Sequence, residues 1–243
     1  MNQPFSLDGL FDFSDLSPSS QRHLRRVYSY LSSGIAVAIL CFVLAQYFPS
    51  LSGVFVLLGI IALIADIALI FMNRNTQNGR RVSFASLYGY ASSVGGGLGA
   101  YLSGMDTESR IENYRYCMSA LVSSLIIFLL FSIFSILTSN RAGVYALVTI
   151  FSIILGIGSM FFFGYSAIIS IILGVFYVIS DTQNIIYRAK NSQADAIVDA
   201  KMLFIDLVKI FCKIYEYLQN KDKDKDKKRK KNNENSEIFF CHI

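Results

Sequence analysis

Histidine and tryptophan are scarce in this chain of 243 residues: it has two histidines and no tryptophan. Both histidines, His23 and His242, lie outside the apolar segments described below. A histidine-based metal site or a catalytic triad is therefore nearly excluded. The four cysteines are far apart, and their spacing indicates neither a disulfide framework nor a metal site. We expect no enzymatic activity, no cofactor and no stably bound metal.

The excess of basic over acidic residues is confined to the C-terminal tail. The net charge is +5, and residues 221–231 (KDKDKDKKRKK) supply it with eight bases and three acids. Because no excess basic charge remains for a folded face, we expect no nucleic-acid partner. We predict a disordered tail, whose basic run is either simply solvated or in contact with anionic membrane lipid.

Apolar residues are abundant: 53% of the chain is hydrophobic and the mean hydropathy is +0.47. They form segments of the length that crosses a membrane, about 20 residues each. The segments lie at 27–48, 51–72, 82–102, 117–138, 142–163, 165–187 and 196–218. The sequence thus predicts an all-α integral membrane protein, a bundle of six to seven transmembrane helices. We divide it into an N-terminal segment (1–26), a transmembrane domain (27–218) and the tail (219–243).

The basic residues between the segments predict the orientation, because cytosolic loops carry the excess of lysine and arginine. The side of the N-terminus has nine such residues: Arg22, Arg25, Arg26, Arg74, Arg80, Arg81, Arg141, Arg188 and Lys190. The opposite side has Arg110 and Arg115. We therefore expect a cytosolic N-terminus. By the same rule the basic tail belongs in the cytosol, which favours a last segment that re-enters without crossing. The alternative is that the bundle overrides the rule and the segment spans.

Two local patterns predict details of the helices. Ser17 followed by Pro18 is typical of a helix N-cap and first turn. Gly95 and Gly99 in the third segment have the small-xxx-small spacing of helices in close contact. We interpret this glycine cluster as a packing face, and the alternative is a hinge or a pore-lining patch.

Acidic residues inside apolar segments are candidates for function, because a charge at the centre of a membrane costs about 2.5–3.5 kcal/mol. Asp66, Asp181 and Asp206 are the three. We expect Asp66 to pair with Arg74 or another nearby base. If Asp181 and Asp206 meet in space, they can share a proton and compete for Ca²⁺, which prefers carboxylate ligands. The pair would then act as a pH-sensing gate that binds Ca²⁺ only transiently.

The last segment combines an apolar surface with one charged stripe. At 100° per residue, its charged side chains fall in one sector, whereas Lys201 lies well outside it. Such a helix is stable in a membrane only where the stripe faces a wet cavity or partner charges. The alternative is an amphipathic helix at the membrane surface. Besides Asp206, the stripe supplies three candidate pore-lining residues, Asp199, Lys209 and Lys213.

The order of these motifs resembles the Bax inhibitor-1 family over residues 8–231. The resemblance rests on residues 13–28 (FSDLSPSSQRHLRRVY), the glycine-rich third segment, Asp181-Thr182-Gln183, Ile205-Asp206-Leu207 and the lysine-rich end. The last of these is similar to the eukaryotic branch.

The resemblance implies an endoplasmic-reticulum membrane protein that suppresses stress-induced cell death and lets Ca²⁺ leak from the store in a pH-dependent way. It also implies that the last, charged helix lies at the centre of the bundle. Asp181 and Asp206 match the aspartates that sense pH in the family, and Arg74, Arg80 and Arg81 are candidates for their basic partner. The alternative is a non-conducting regulator that binds other membrane proteins, such as other cell-death regulators. A docking protein should tolerate Asp206→Asn, whereas a gated pore should not.

Overall fold

The computed structural model describes residues 17–72, 76–138, 166–190 and 195–240, with a few positions between 148 and 155. These ranges form α1 (Pro18–Tyr47), a 3₁₀ turn (Pro49–Leu51), α2 (Ser52–Phe71), α3 (Gln77–Ser103), α4 (Thr107–Leu137), α5 (Ser166–Lys190) and α6 (Ala196–Phe240). Within them every regular element is helical, as predicted. Most of the predicted segment 142–163 lies outside the described residues. Arg74 also lies outside them.

Four of the described helices begin at a capping side chain, which satisfies a backbone N–H that the helix leaves free. In α6 this side chain is Asp195, whose Oδ1 accepts from Ile197 N at 3.0 Å. Ser17 caps α1 by accepting a hydrogen bond from Ser20 N at 3.3 Å, and Pro18 occupies the first turn. Thr76 caps α3 and Asp106 caps α4 in the same way. The predicted start of α1 at Ser17 and Pro18 is confirmed. At the start of α4, the hydrogen bond from the backbone N–H of Ser109 also lowers the pKa of the Asp106 carboxyl.

The helices have the length and surface of membrane spans. Four stretches among the described residues are long and apolar enough to cross a bilayer: 18–47, 49–71, 107–137 and 168–190. On α2, large apolar side chains face outward, with Ile70 at 73% exposure and Phe71 at 84%. Apolar surface of this extent is not found on a soluble monomer. The chain is a multi-pass membrane protein.

Glycine lets α3 pack closely against both α1 and α2. A Cβ atom on Gly95 would overlap the carbonyl oxygen of Ala38 in α1, and one on Gly96 would overlap the ring of Phe55 in α2. No hydrophobic force joins helices inside lipid, so contact at this distance supplies the association. The glycine cluster is a packing face, as interpreted from its spacing.

The last helix, α6, packs against α1, α3, α4 and α5. Its apolar face joins the largest buried cluster through the side chains of Ile197, Ala200, Leu203, Phe204, Leu207, Ile210 and Ile214. α3 and α6 are not among the four most apolar stretches. Two acids of the charged stripe, Asp199 and Asp206, are nevertheless buried between α6 and its neighbours.

The path of α6 through the bundle follows from its contacts. The helix is unbroken, and near its start Asp199 contacts His23, at the beginning of α1. Further along, Tyr215 and Gln219 contact Asn113, at the beginning of α4 and the opposite end of the bundle. α6 therefore runs from one end of the bundle to the other, and the tail leaves on the side opposite to the start of α1.

The structure describes the backbone of α6 as helical as far as Phe240, beyond the apolar segment that ends at 218. The disorder of the tail (219–243) stays a prediction.

Candidate functional site

The structure brings Asp181 of α5 and Asp206 of α6 together. Asp206 is 2% exposed, and its Oδ1 accepts a hydrogen bond from Lys209 Nζ at 3.2 Å. Its Oδ2 is buried and has no hydrogen-bond partner among the described residues. The carboxyl group of Asp181 lies beside it, close enough for a hydrogen bond if one of the two groups carries a proton. Two acids on different helices thus face each other inside the bundle.

Three consecutive residues of α5 point to three different helices. Asp181 faces α6. The hydroxyl of Thr182 donates to Val178 O at 2.8 Å and lies beside the hydroxyl of Tyr28, on α1. Gln183 Nε2 donates to Ser135 Oγ of α4 at 3.1 Å. The Asp-Thr-Gln motif therefore fixes the position of α5 around the acidic pair.

The chemistry of the pair follows from these contacts. Two adjacent carboxyl groups do not both ionise easily, so they share a proton under acidic conditions and separate into two charges when it is lost. The doubly ionised pair offers hard oxygen ligands of the type that Ca²⁺ prefers. Two carboxylates are fewer ligands than the six to eight oxygens of a stable Ca²⁺ site. The arrangement suits a passing cation better than a resident one.

The basic partner of the pair is Lys209, which lies one turn along α6 from Asp206. Its side chain is 55% exposed and lies over the ring of Tyr177, with Nζ 5.2 Å from the ring centre. Arg80 and Arg81 are exposed at the start of α3, and neither forms an ion pair with a described residue. Arg74 lies outside the described residues.

Asp199 has a different environment from the pore-lining position that we expected. It is 1% exposed, and its carboxylate is held by His23 Nε2 at 2.8 Å and by Arg188 at 2.7 Å. The contacts join the ends of α1, α5 and α6. Lys213 pairs with Glu216 at 2.9 Å, and both side chains are about half exposed. Of the four acids and bases expected along the stripe, only Asp206 and Lys209 lie at the pair.

Asp66 pairs with Lys201 of α6, a base that is distant in sequence, whereas Arg74, the base that we named for it, lies outside the described residues. The Lys201 ammonium contacts the carboxylate of Asp66 and donates to Ser86 Oγ at 2.7 Å. It also lies 5.9 Å from the ring centre of Tyr90. This explains why Lys201 falls outside the charged stripe: it points to α2 and α3.

Sequence reasoning missed His23, Arg188 and Lys201 as partners of the buried acids. Helical periodicity places side chains around one helix, but it does not identify a contact with another helix. A signal was present nevertheless. The orientation predicted from basic residues puts His23, Arg188 and Asp199 at the same end of the bundle. A contact between this acid and the two bases is consistent with that placement.

Exposed apolar helices that pack with a helix carrying buried acids define a class: multi-pass, all-helical membrane proteins with a buried acidic pair. Within that class, residues 20–223 match the family model described as "Inhibitor of apoptosis-promoting Bax1". Because this match covers most of the chain, the protein belongs to the Bax inhibitor-1 family.

Curated relatives have the same family name. The chain is 29% identical to the probable Bax inhibitor 1 of Paralichthys olivaceus, covering 89% of this chain and 93% of the relative. It is 27% identical to the Bax inhibitor 1 homolog of Dictyostelium discoideum (86% and 85% covered). It is 25% identical to human Bax inhibitor 1 (88% and 92% covered). No solved structure matches the chain significantly.

Proposed function

We propose that this protein suppresses stress-induced cell death from the membrane of the endoplasmic reticulum, where it lets Ca²⁺ leak from the store under the control of pH. Membership of the Bax inhibitor-1 family supports the first part. The leak is a further step, and it rests on the paired carboxyls of Asp181 and Asp206. Proton and Ca²⁺ are then the two ligands of one site, and neither a cofactor nor a catalytic residue is involved.

The observation that carries the proposal is the unpartnered Oδ2 of Asp206 beside the carboxyl of Asp181. A buried oxygen without a partner is costly, and a structural acid would be fully hydrogen-bonded. A shared proton satisfies that oxygen in one state, and a cation satisfies it in the other. The central position that the resemblance implies for α6 would place both states on a path through the bundle.

The test is Ca²⁺ flux through the purified chain in liposomes between about pH 6 and pH 8, where a coupled carboxyl pair can titrate. We expect a flux that changes with pH, and we expect Asp181→Asn or Asp206→Asn to remove this dependence. Glu216→Gln is the matched control, because it removes one acid of α6 that is half exposed and away from the pair. If wild-type liposomes pass no more Ca²⁺ than empty ones at any pH, the leak proposal fails.

The second candidate is a regulator that conducts nothing and acts by binding other membrane proteins, such as other cell-death regulators. Its outward apolar faces, most extensive on α2, would be the docking surface. Survival of cells that express the chain under endoplasmic-reticulum stress separates the two. A docking protein should protect equally well with Asp206→Asn, whereas a gated leak should lose its protection together with its pH dependence.

A further inference from the structure

A second site lies at the beginning of α1, away from the acidic pair. Four residues of α1 and one of α5 line a pocket of about 220 Å³: Ser19, Arg22, His23, Arg26 and Ala189. The four on α1 are spaced three, four and seven residues from Ser19, which places them on one face of the helix. Ala189, near the end of α5, forms the facing wall. The pocket is open to solvent at the end of the bundle where α1 starts.

The charges of this pocket are not balanced within the described residues. Arg22 donates only to the backbone oxygen of Pro18, and Arg26 forms no ion pair there. The acid next to the pocket is Asp199, and it is unavailable to both arginines. Its carboxylate is 1% exposed and already pairs with Arg188 and His23. Two guanidinium groups therefore share a concave surface, and none of the described residues supplies an anion that neutralises them.

The same contacts hold the pocket in shape. His23 is fixed by its hydrogen bond to Asp199, which connects the lining of the pocket to α6. Arg188 fixes Asp199 from α5, next to Ala189. A hydroxyl, an imidazole and two guanidinium groups thus belong to the residues that line the pocket. Guanidinium groups bind phosphate through paired, charge-assisted hydrogen bonds, and serine adds a donor of the same kind.

We propose that this pocket binds a phosphate monoester, whose charge of about −2 balances the two arginines. Two sources offer this chemistry at the end of a membrane bundle: a lipid with a phosphate monoester headgroup and a free phosphorylated solute. The site is independent of the proposed Ca²⁺ leak, since it includes neither Asp181 nor Asp206.

The experiment measures binding of two probes to the full chain in a neutral detergent. The lipid probe is short-chain phosphatidic acid, and the soluble probe is glycerol 3-phosphate. We expect saturable binding that the double variant Arg22→Gln/Arg26→Gln weakens about tenfold or more, because it removes both charge-assisted contacts. Arg25→Gln is the matched control, since Arg25 is exposed on the same turns of α1 but does not line the pocket. Its effect should stay below about twofold.

The outcomes separate the sources and also test the site. Binding of phosphatidic acid that glycerol 3-phosphate does not displace identifies a lipid headgroup, and displacement identifies a soluble phosphate. Both results support the pocket. The proposal is overturned if neither probe binds saturably. It is also overturned if Arg25→Gln weakens binding as much as the double variant, because diffuse charge would then explain the attraction. Thermal unfolding of each variant checks that these exposed substitutions leave the fold intact.

Discussion

Two buried acids of α6, Asp199 and Asp206, lie seven residues apart on the same helix but in opposite environments. Asp199 has a base on each side, one from α1 and one from α5. Asp206 has one half-exposed lysine, an oxygen without a partner and a second acid next to it. Both are almost fully removed from solvent. Burial alone therefore does not distinguish them, whereas their partners do.

The difference in partners indicates which of the two acids belongs to a pair that can share a proton. Asp199 is held by His23 and Arg188 in two contacts that join three helices. Asp206 faces the carboxyl group of Asp181, so the contact between the two carboxyl groups changes when the pair gains or loses one proton. One helix thus holds a structural acid near one end of the bundle and a titratable acid two turns further along. The predictions below test this division.

The largest effect should come from truncating the structural acid. Asp199→Ala leaves Arg188 and His23 without their anion, and we expect a loss of about 3 kcal/mol in the free energy of unfolding. Thermal unfolding in one detergent should show a fall of roughly 6–12 °C. The matched substitution Asp206→Ala removes an acid that faces another acid, and it should cost less than about 1 kcal/mol. Equal losses at the two positions would contradict the division.

The second effect concerns the bases around Asp199. Arg188→Gln keeps a hydrogen-bond donor but removes the charge, and we expect a loss of about 2 kcal/mol because the carboxylate stays buried. The measurement is again thermal unfolding. If the interaction is the pair itself, Arg188→Gln should add little once Asp199 is already alanine. Additive losses in the double variant would show that Arg188 stabilises the protein through other contacts.

The sequence was sufficient where a single segment determines the result. Ser17 with Pro18 marked the start of α1, and the spacing of Gly95 and Gly99 indicated a packing face. It was also sufficient to single out Asp181 and Asp206, because an acid inside an apolar segment is costly wherever its partners lie. Their meeting in space depends on how α5 and α6 pack, which no local pattern contains.

The sequence was insufficient where the partners are far apart along the chain. Asp66 and Lys201 are separated by 135 positions and His23 and Asp199 by 176. We looked for the partner of Asp66 at the nearest base and discounted His23 because it lies outside the apolar segments. Counting charges in short loops also says nothing about packing, whereas α6 packs against four other helices; the side of the membrane on which the tail lies stays a prediction.

A smaller effect should follow from the contact between α2 and α6. Lys201→Gln removes the ion pair with Asp66, whose side chain is 39% exposed. Because a partly exposed pair is screened, we expect a loss of about 1 kcal/mol or less. The loss should be smaller than that of Arg188→Gln in the same unfolding assay. A larger loss would mean that Lys201 is a structural residue comparable to Asp199, and the comparison would then involve three acids.

The smallest effect should come from Glu216, the acid of α6 that faces outward beside Lys213. Both side chains are about half exposed, and their 2.9 Å contact joins residues three apart on one helix. Such a pair contributes about 0.5 kcal/mol or less, so Glu216→Gln should leave the unfolding temperature almost unchanged. It should also leave the pH dependence of Ca²⁺ flux unchanged. An altered pH profile would place a titrating group outside the Asp181–Asp206 pair, and the assignment of the gate to two buried acids would have to be abandoned.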